Sequence, residues 1–335
     1  MRLLRAGDEC GVTMKTVRRI AAVVLALTIV LCVIVAVARH KEVAVEDGRL
    51  SIVTTIFPGY DWVRVILGDR AADVMLLPGT GVDPHSYQPT AKDIMRLAAA
   101  DLVIILGGEN DGWVDSAATG MNTRLVRLLD VLGSNVKEEV IVAGMQATEA
   151  NNGERDEHVW LSLRNARALC AAIANALCEL DAQNAATYRV HLAAYTAELD
   201  ALDAEYTAAV NGAMRKTVLF GDRFPFRYLV DDYDLQYYAA FAGCSAETEA
   251  SFKTVIFLAR KVDELSLPTV LTIENSDGKL ARAIIENTKS RTAKVATLNS
   301  MQATTTRDIQ EGTRYLDIMQ ENLRVLKTAL YEDQR

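Results

Sequence analysis

The sequence predicts an α/β protein of two lobes, each built on a parallel-type sheet, joined by a long rigid linker helix and preceded by an N-terminal membrane anchor or signal segment. Three observations carry this. From Leu50 onward short β-rich runs alternate with helical patterns, as in parallel α/β units. The same rhythm starts again near residue 215. Between the two, Leu163 to Met214 is rich in Ala and Leu, lacks proline and has almost no glycine, so strong helix formers run for about fifty residues. The expected organisation is an N-terminal segment over 1–42, a first lobe over 50–182, a linker helix over 183–214 and a second lobe over 215–330.

In the N-terminal segment, Lys15, Arg18 and Arg19 precede an apolar run from Ile20 to Ala38 that is broken only by Thr28. Such a run is long enough to span a bilayer. It also suits a signal peptide, because Ala36-Val37-Ala38 has the small-x-small pattern of a cleavage site. Either way the basic flank stays cytoplasmic, and everything after about residue 40 lies on the extracytoplasmic face. Met14 can serve as the start, since residues 1–13 add nothing to either reading. Cys32 follows Leu31, whereas a lipidated cysteine needs a small residue before it, so lipidation ranks below the anchor.

In the first lobe, "SIVTTIF" reads as a strand, "YDWVRVILG" as a helix and "DVMLL" as a strand. "TAKDIMRLAAA" opens with Thr90 and Asp93 in capping-box spacing and continues as an amphipathic helix. "DLVIIL" is a buried strand, and "EVIVA" at 139–143 is expected to be another. In the second lobe the strands are 217–220, 236–241, 269–273 and 294–298, with helices over "FKTVIFLARKVDEL" and "GKLARAIIENTK". From Asn184 to Asn211, Tyr188, Leu192, Tyr195, Leu199, Leu202 and Tyr206 recur at helical spacing, which makes one apolar stripe on one long helix.

Composition narrows the function. Half of the 335 residues are hydrophobic and 24% are charged, a globular profile. Residues 1–41 carry seven basic and two acidic residues, so the overall charge of −8 becomes −13 for the rest, which argues against nucleic-acid binding. The five cysteines form no disulfide framework. No P-loop, dinucleotide fingerprint or nucleophile elbow occurs, and the glycines of "LGDR", "LGG" and "FAGC" read as turn glycines.

The four histidines are the informative residues. His40 abuts the apolar run and His191 falls on the polar side of the long helix, so both read as structural or solvated. His85 lies in "GVDPHSYQPT", one loop after a strand and between Pro84 and Pro89, where ligands of parallel sheets gather. His158 stands where an acidic loop, read as solvated with its Glu149, Glu154, Asp156 and Glu157, meets the apolar "VWL". Neutral imidazoles bind zinc and manganese, and carboxylates commonly complete the shell. The second lobe offers Asp222 after "TVLFG", Glu247 and Glu249 after "QYYAAF", and Asp277 after "TVLTIENS"; each also reads as a cap or a surface acid. Trp160 and Tyr87, beside the two histidines, are candidates for packing that fixes ring orientation.

"IVTTIFPGYDWVRVILGDRAADVMLLPGTGVDPHSYQPTAKDIMRLAAADLVIILGG", "DEHVWLSLRNA" and "YLDIMQENLRVLKTAL" resemble the metal-binding solute receptors of zinc and manganese ABC transporters, over about residues 50–330. The resemblance implies two lobes joined by a rigid helix and one metal ion in the cleft between them. By position, His85 and His158 match the family's first two ligands, and Asp277 corresponds approximately to its late carboxylate. The third position departs from the pattern: "DRFPFRY" places Arg223 where the family has a His or Glu. An arginine cannot ligate a cation, so Asp222 or Glu249 takes over, or a water does, or Arg223 pairs with a carboxylate such as Asp277 and weakens the site.

The function expected from this resemblance is capture of Zn2+, with Mn2+ as the alternative, by a membrane-tethered monomer. It would deliver the ion to a membrane permease of an ABC transporter without making or breaking a bond. Two other classes fit parts of the sequence. A membrane-anchored metallohydrolase would use the same ligands around an activated water, but no H-E-x-x-H pattern or spare general base is present. An adhesion or structural surface protein that has kept the fold without the metal would account for Arg223.

Overall fold

Eight parallel strands fall into two four-stranded sheets in the computed structural model, which describes residues 49–70, 72–77, 87–108, 111–118, 123–146, 154–243 and 249–331. The first sheet has the order β2-β1-β3-β4, formed by β1 (Leu50–Thr54), β2 (Ala72–Leu76), β3 (Leu102–Ile105) and β4 (Arg124–Arg127). The second has the order β6-β5-β7-β8, formed by β5 (Thr217–Phe224), β6 (Gln236–Ala242), β7 (Thr269–Ile273) and β8 (Lys294–Leu298). Both orders turn back on themselves, so the loops after the central strands open towards the same end of each sheet, where α/β proteins place ligands. The two lobes pack as one unit from Leu50 onward. The apolar N-terminal run and Cys32 lie outside the described residues, and among the described residues no helix is long and apolar enough to cross a membrane.

In the first lobe, α1 (Phe57–Leu67) buries Trp62, Val63 and Ile66 on one face. Helix α2 (Ala91–Ala99) starts at the expected capping box: Thr90 Oγ1 accepts the Asp93 N–H, and the Asp93 carboxylate accepts the Thr90 N–H. Next come α3 (Gly112–Ala118) and α4 (Leu128–Leu132). The expected strand at 139–143 is not formed. The residues on either side of it make single bridges, Glu138 to Arg155 and Gln146 to Phe241, so the segment crosses from the first lobe to the second as a strap. The fourth strand is instead "RLVR", where only Val126 is buried while Arg124 pairs with Glu179 and Arg127 with Asp115. It is an edge strand, and its charged residues conceal it from a search for apolar runs.

Ser162 caps α5 (Leu163–Leu180) by accepting the Asn165 N–H at 3.0 Å. The linker helix α6 (Ala185–Gly212) has 28 residues and is about 40 Å long at 1.5 Å per residue. Its stripe is buried at Tyr188, Tyr195, Leu199, Leu202 and Tyr206, with Leu192 half-buried. One end is fastened to the first lobe, where His191 Nδ1 lies 2.9 Å from the Ile66 carbonyl and Tyr188 donates to Asp181 at 2.6 Å. The other end is fastened to the second lobe: Tyr206 donates to the Met319 carbonyl at 2.7 Å and stacks on Tyr233 with ring centroids 5.0 Å apart. A helix held at both ends resists a wide hinge motion.

The second lobe adds α7 (Arg227–Asp232), α8 (Phe252–Leu265), α9 (Lys279–Glu286), α10 (Thr306–Gln310) and the closing helix α11 (Tyr315–Tyr331). Helix α11 returns to the first lobe, where the Tyr315 N–H donates to the buried Asp61 carboxylate at 3.0 Å.

Candidate metal centre

His158 is completely buried at the seam between the lobes, immediately before a single 3-10 turn, Val159–Leu161. Asp156 Oδ1 accepts both the His158 backbone N–H and the ring Nδ1–H, each at 2.9 Å. A carboxylate can only accept here, so Nδ1 carries the proton, and the neutral ring then has its lone pair on Nε2. Burial pulls the imidazole pKa down, but Asp156 outweighs it, with Glu139 and Glu157 adding to the effect, and the pKa is raised above the ordinary value. This is a negative environment in which a cation is favoured. The carboxylate–histidine pair is also the arrangement that orients metal-binding imidazoles elsewhere.

The surroundings are shaped for this ring. The Trp160 indole stands edge-on to it, with centroids 5.5 Å apart, as expected for a residue that fixes ring orientation. Gly243 leaves it room: a Cβ there would lie 3.0 Å from His158 Cε1 and 2.9 Å from the Phe224 carbonyl. Gly108 does the same for Glu157, whose Oε1 would lie 1.8 Å from an added Cβ. Both were read from the sequence as turn glycines; at Gly243 the close approach of the Phe224 carbonyl and the His158 ring is a further reason for glycine.

The acidic stretch before His158 also differs from expectation. Asp156 and Glu157 are 2% and 5% exposed, so they belong to the site wall and not to a solvated loop. Tyr228 of the second lobe holds that wall in place, since its hydroxyl donates to the Asp156 carbonyl at 2.8 Å and accepts the Lys137 N–H at 2.9 Å.

Across the seam, the loop after β8 faces His158. Gln302 Nε2 lies 3.0 Å from His158 Nε2. This loop is gathered by Glu274, at the end of β7, which accepts the Ser300 N–H at 2.6 Å, the Ser300 hydroxyl at 2.7 Å, the Gln302 N–H at 3.0 Å and the Ala303 N–H at 3.3 Å.

The expected carboxylates occupy a different place. Asp222, Arg223, Glu249 and Asp277, together with Glu274, line one open cavity of about 860 Å³ in the second lobe, and His158 is not among its lining residues. Asp222 is half-buried and accepts the Arg223 N–H at 2.8 Å, and Glu249 is exposed. Asp277 is exposed, accepts the Lys279 N–H at 2.9 Å just ahead of α9, and pairs with the Lys279 ammonium at 2.5 Å, which holds its carboxyl below the usual range. His85 and Glu247 lie outside the described residues. Among the described residues, no three His, Cys, Asp or Glu side chains converge closely enough to hold a metal. Tyr87 packs against Trp113, with centroids 6.2 Å apart.

Sequence reasoning overlooked Glu274 and Gln302. Glu274 directly ends a strand, which is a usable signal; Gln302 lies 144 positions from the histidine it meets, and nothing in its neighbourhood marks it.

Two parallel α/β lobes held by a rigid helix, with a buried imidazole at their seam, give the architecture of the rigid-linker solute-binding fold. The chain belongs to the family described as "Zinc-uptake complex component A periplasmic", whose model matches residues 52–329. It is 30% identical over 320 residues to the zinc-binding lipoprotein AdcA of Streptococcus pneumoniae serotype 4, covering 94% of this chain and 61% of that protein. It therefore spans about three-fifths of the length of that relative. It is 28% identical over 291 residues to the high-affinity zinc uptake system protein ZnuA of Bacillus subtilis, covering 85% and 89%. Among solved structures, the Zn(II)-bound ZnuA-like domain of S. pneumoniae AdcA matches with TM-score 0.67 at 26% identity, covering 85% of this chain and all of that one. The metal-dependent lipoprotein YcdH of B. subtilis matches with TM-score 0.70 at 27% identity over the same shares.

Proposed function

We propose that this protein captures Zn2+ at the seam between its lobes, on the extracytoplasmic face of the membrane, and hands it to the membrane permease of an ABC transporter. The observation that carries the reading is the His158–Asp156 pair: a buried imidazole whose proton is held on Nδ1 by a carboxylate, so that Nε2 is the nitrogen directed at the other lobe. The family and the relatives named for zinc support the choice of ion. Imidazole nitrogen also binds Zn2+ more strongly than Mn2+. In this reading His85 and His158 are the first two ligands, and Asp222, Glu249 or Asp277 supplies a carboxylate from the second lobe. The chain works as a tethered monomer that makes and breaks no bond, with its anchor or signal over 1–42, lobes over 50–182 and 215–330, and a linker over 183–214.

The test is metal retention. The full chain is purified in mild detergent, stripped with a chelator and reloaded with equimolar Zn2+ and Mn2+, beside a His85→Ala, His158→Ala double variant. About one retained Zn2+ in the parent and none in the variant is the expected result. No retained metal in either would refute the receptor reading and leave Arg223 as the residue that has disabled the site.

A further inference from the structure

We propose that the side-chain amide of Gln302 occupies the metal-binding nitrogen of His158 before the ion arrives, and that it must swing away for the ion to bind. This rests on the reading of His158 as a zinc ligand. His158 and Gln302 are 0% and 6% exposed, and their contact of 3.0 Å spans the two lobes. The Ser300 hydroxyl lies between Glu274 Oε1 at 2.7 Å and the Gln302 carbonyl at 2.9 Å; with its one proton turned to Gln302, the amide NH2 faces His158 and donates to the Nε2 lone pair. A lone pair given to this hydrogen bond is not available to a metal.

Turning the amide over leads to the same conclusion. Its carbonyl would then accept a proton from Nε2–H of an imidazolium, and its NH2 would donate to Ser300 Oγ, leaving the Ser300 hydroxyl proton for Glu274. Nε2 is occupied in both arrangements. A zinc ion binds imidazole at about 2.0–2.1 Å along the lone-pair axis. The amide nitrogen already stands 3.0 Å along that approach, so ion and amide exclude each other.

Only the side chain needs to move. The backbone of residues 300–303 is held by Glu274 through three N–H donors, and Trp160 donates to the Ser300 carbonyl at 2.8 Å. Gln302 is therefore a positioning residue that lowers the apparent affinity by the fraction of time it leaves Nε2 open. Its effect does not depend on which ion competes for the nitrogen.

The test compares the full chain in detergent as parent, His158→Ala, Gln302→Ala and Gln302→Met, the last keeping the volume without the polar group. Zn2+ and Mn2+ affinities are read by competition with a chromophoric chelator, and the His158 Nε2 shift of the metal-free protein is read by 15N NMR. Loss of one hydrogen-bonding competitor is expected to tighten both ions by up to about tenfold, with their ratio unchanged, and to move the Nε2 shift before any metal is added. If the parent binds Zn2+ and His158→Ala does not, but both Gln302 variants bind equally or more weakly, the amide is not a competitor and the inference falls alone. A changed Zn2+/Mn2+ ratio would overturn it too, because Gln302 would then touch the ion. If the parent takes no Zn2+, or His158→Ala keeps the parent's affinity, the zinc-ligand reading fails and the inference falls with it.

Discussion

Trp160 and Ser300, 140 positions apart in the chain, are joined by an indole N–H···O=C bond of 2.8 Å that fastens the turn after His158 to the loop carrying Gln302. Trp160 is 1% exposed, and its backbone carbonyl accepts the Tyr315 hydroxyl at 2.6 Å. Trp160→Phe removes the N–H, leaves the Ser300 carbonyl unpaired and opens space in the seam. We expect a loss of about 2 kcal/mol, from the unmade bond together with the missing ring volume. Denaturant unfolding measures it, and a change within experimental error would show that the lobes are held by other contacts.

Asp156→Asn keeps the shape but removes the charge that lifts the His158 imidazole. Zinc affinity should fall by about tenfold, the lower end of what loss of an orienting carboxylate costs. Chelator competition on the folded variant measures this, and an unchanged dissociation constant would remove Asp156 from the site.

Gly243→Ala places a Cβ against the Phe224 carbonyl and the His158 ring. The backbone carbonyl cannot yield cheaply, so the ring must shift; overpacking of this kind costs roughly 1–3 kcal/mol. The variant should lose both stability and zinc affinity. If stability falls and zinc binding does not, His158 is not the ligand.

Asp61 and Asp111 are buried carboxylates, and desolvation pushes each up to about 6 from 3.8 despite backbone N–H donors, from Tyr315 to Asp61 and from Gly107 and Leu106 to Asp111. Because the folded protein holds these protons more tightly than the unfolded chain, their contribution to stability is greatest below about pH 4 and is lost as pH rises through about 6. Each shift corresponds to on the order of 3 kcal/mol. Asp61→Asn, which keeps an oxygen for the Tyr315 N–H, should flatten the stability profile between pH 4 and 6. Chemical unfolding across that range is the measurement, and an unchanged slope would place the titration elsewhere.

How much of this was legible in the sequence depends on where the determining contacts lie. The capping box at Thr90 and Asp93 and the strands at 269–273 and 294–298 were read correctly because their causes are local: a cap three residues away, or a short run rich in β-branched residues. The strand at 124–127 was missed because an edge strand needs little apolar surface, and 139–143 was misread because an apolar run alone does not provide a partner to pair with.

The sequence by itself determined two parallel α/β lobes and the long helix between them, and singled out His158 as a candidate ligand, since periodicity, helix propensity and a short motif are all properties of neighbouring residues. Only the tertiary structure decided that Asp156 and Glu157 are buried, that Gly243 and Gly108 make room for side chains, that Asp277 is paired with Lys279, and that Gln302 meets His158. The physical reason is that desolvation and hydrogen-bond competition depend on which atoms the closed chain brings within about 3 Å, and for the decisive pair those atoms belong to different lobes.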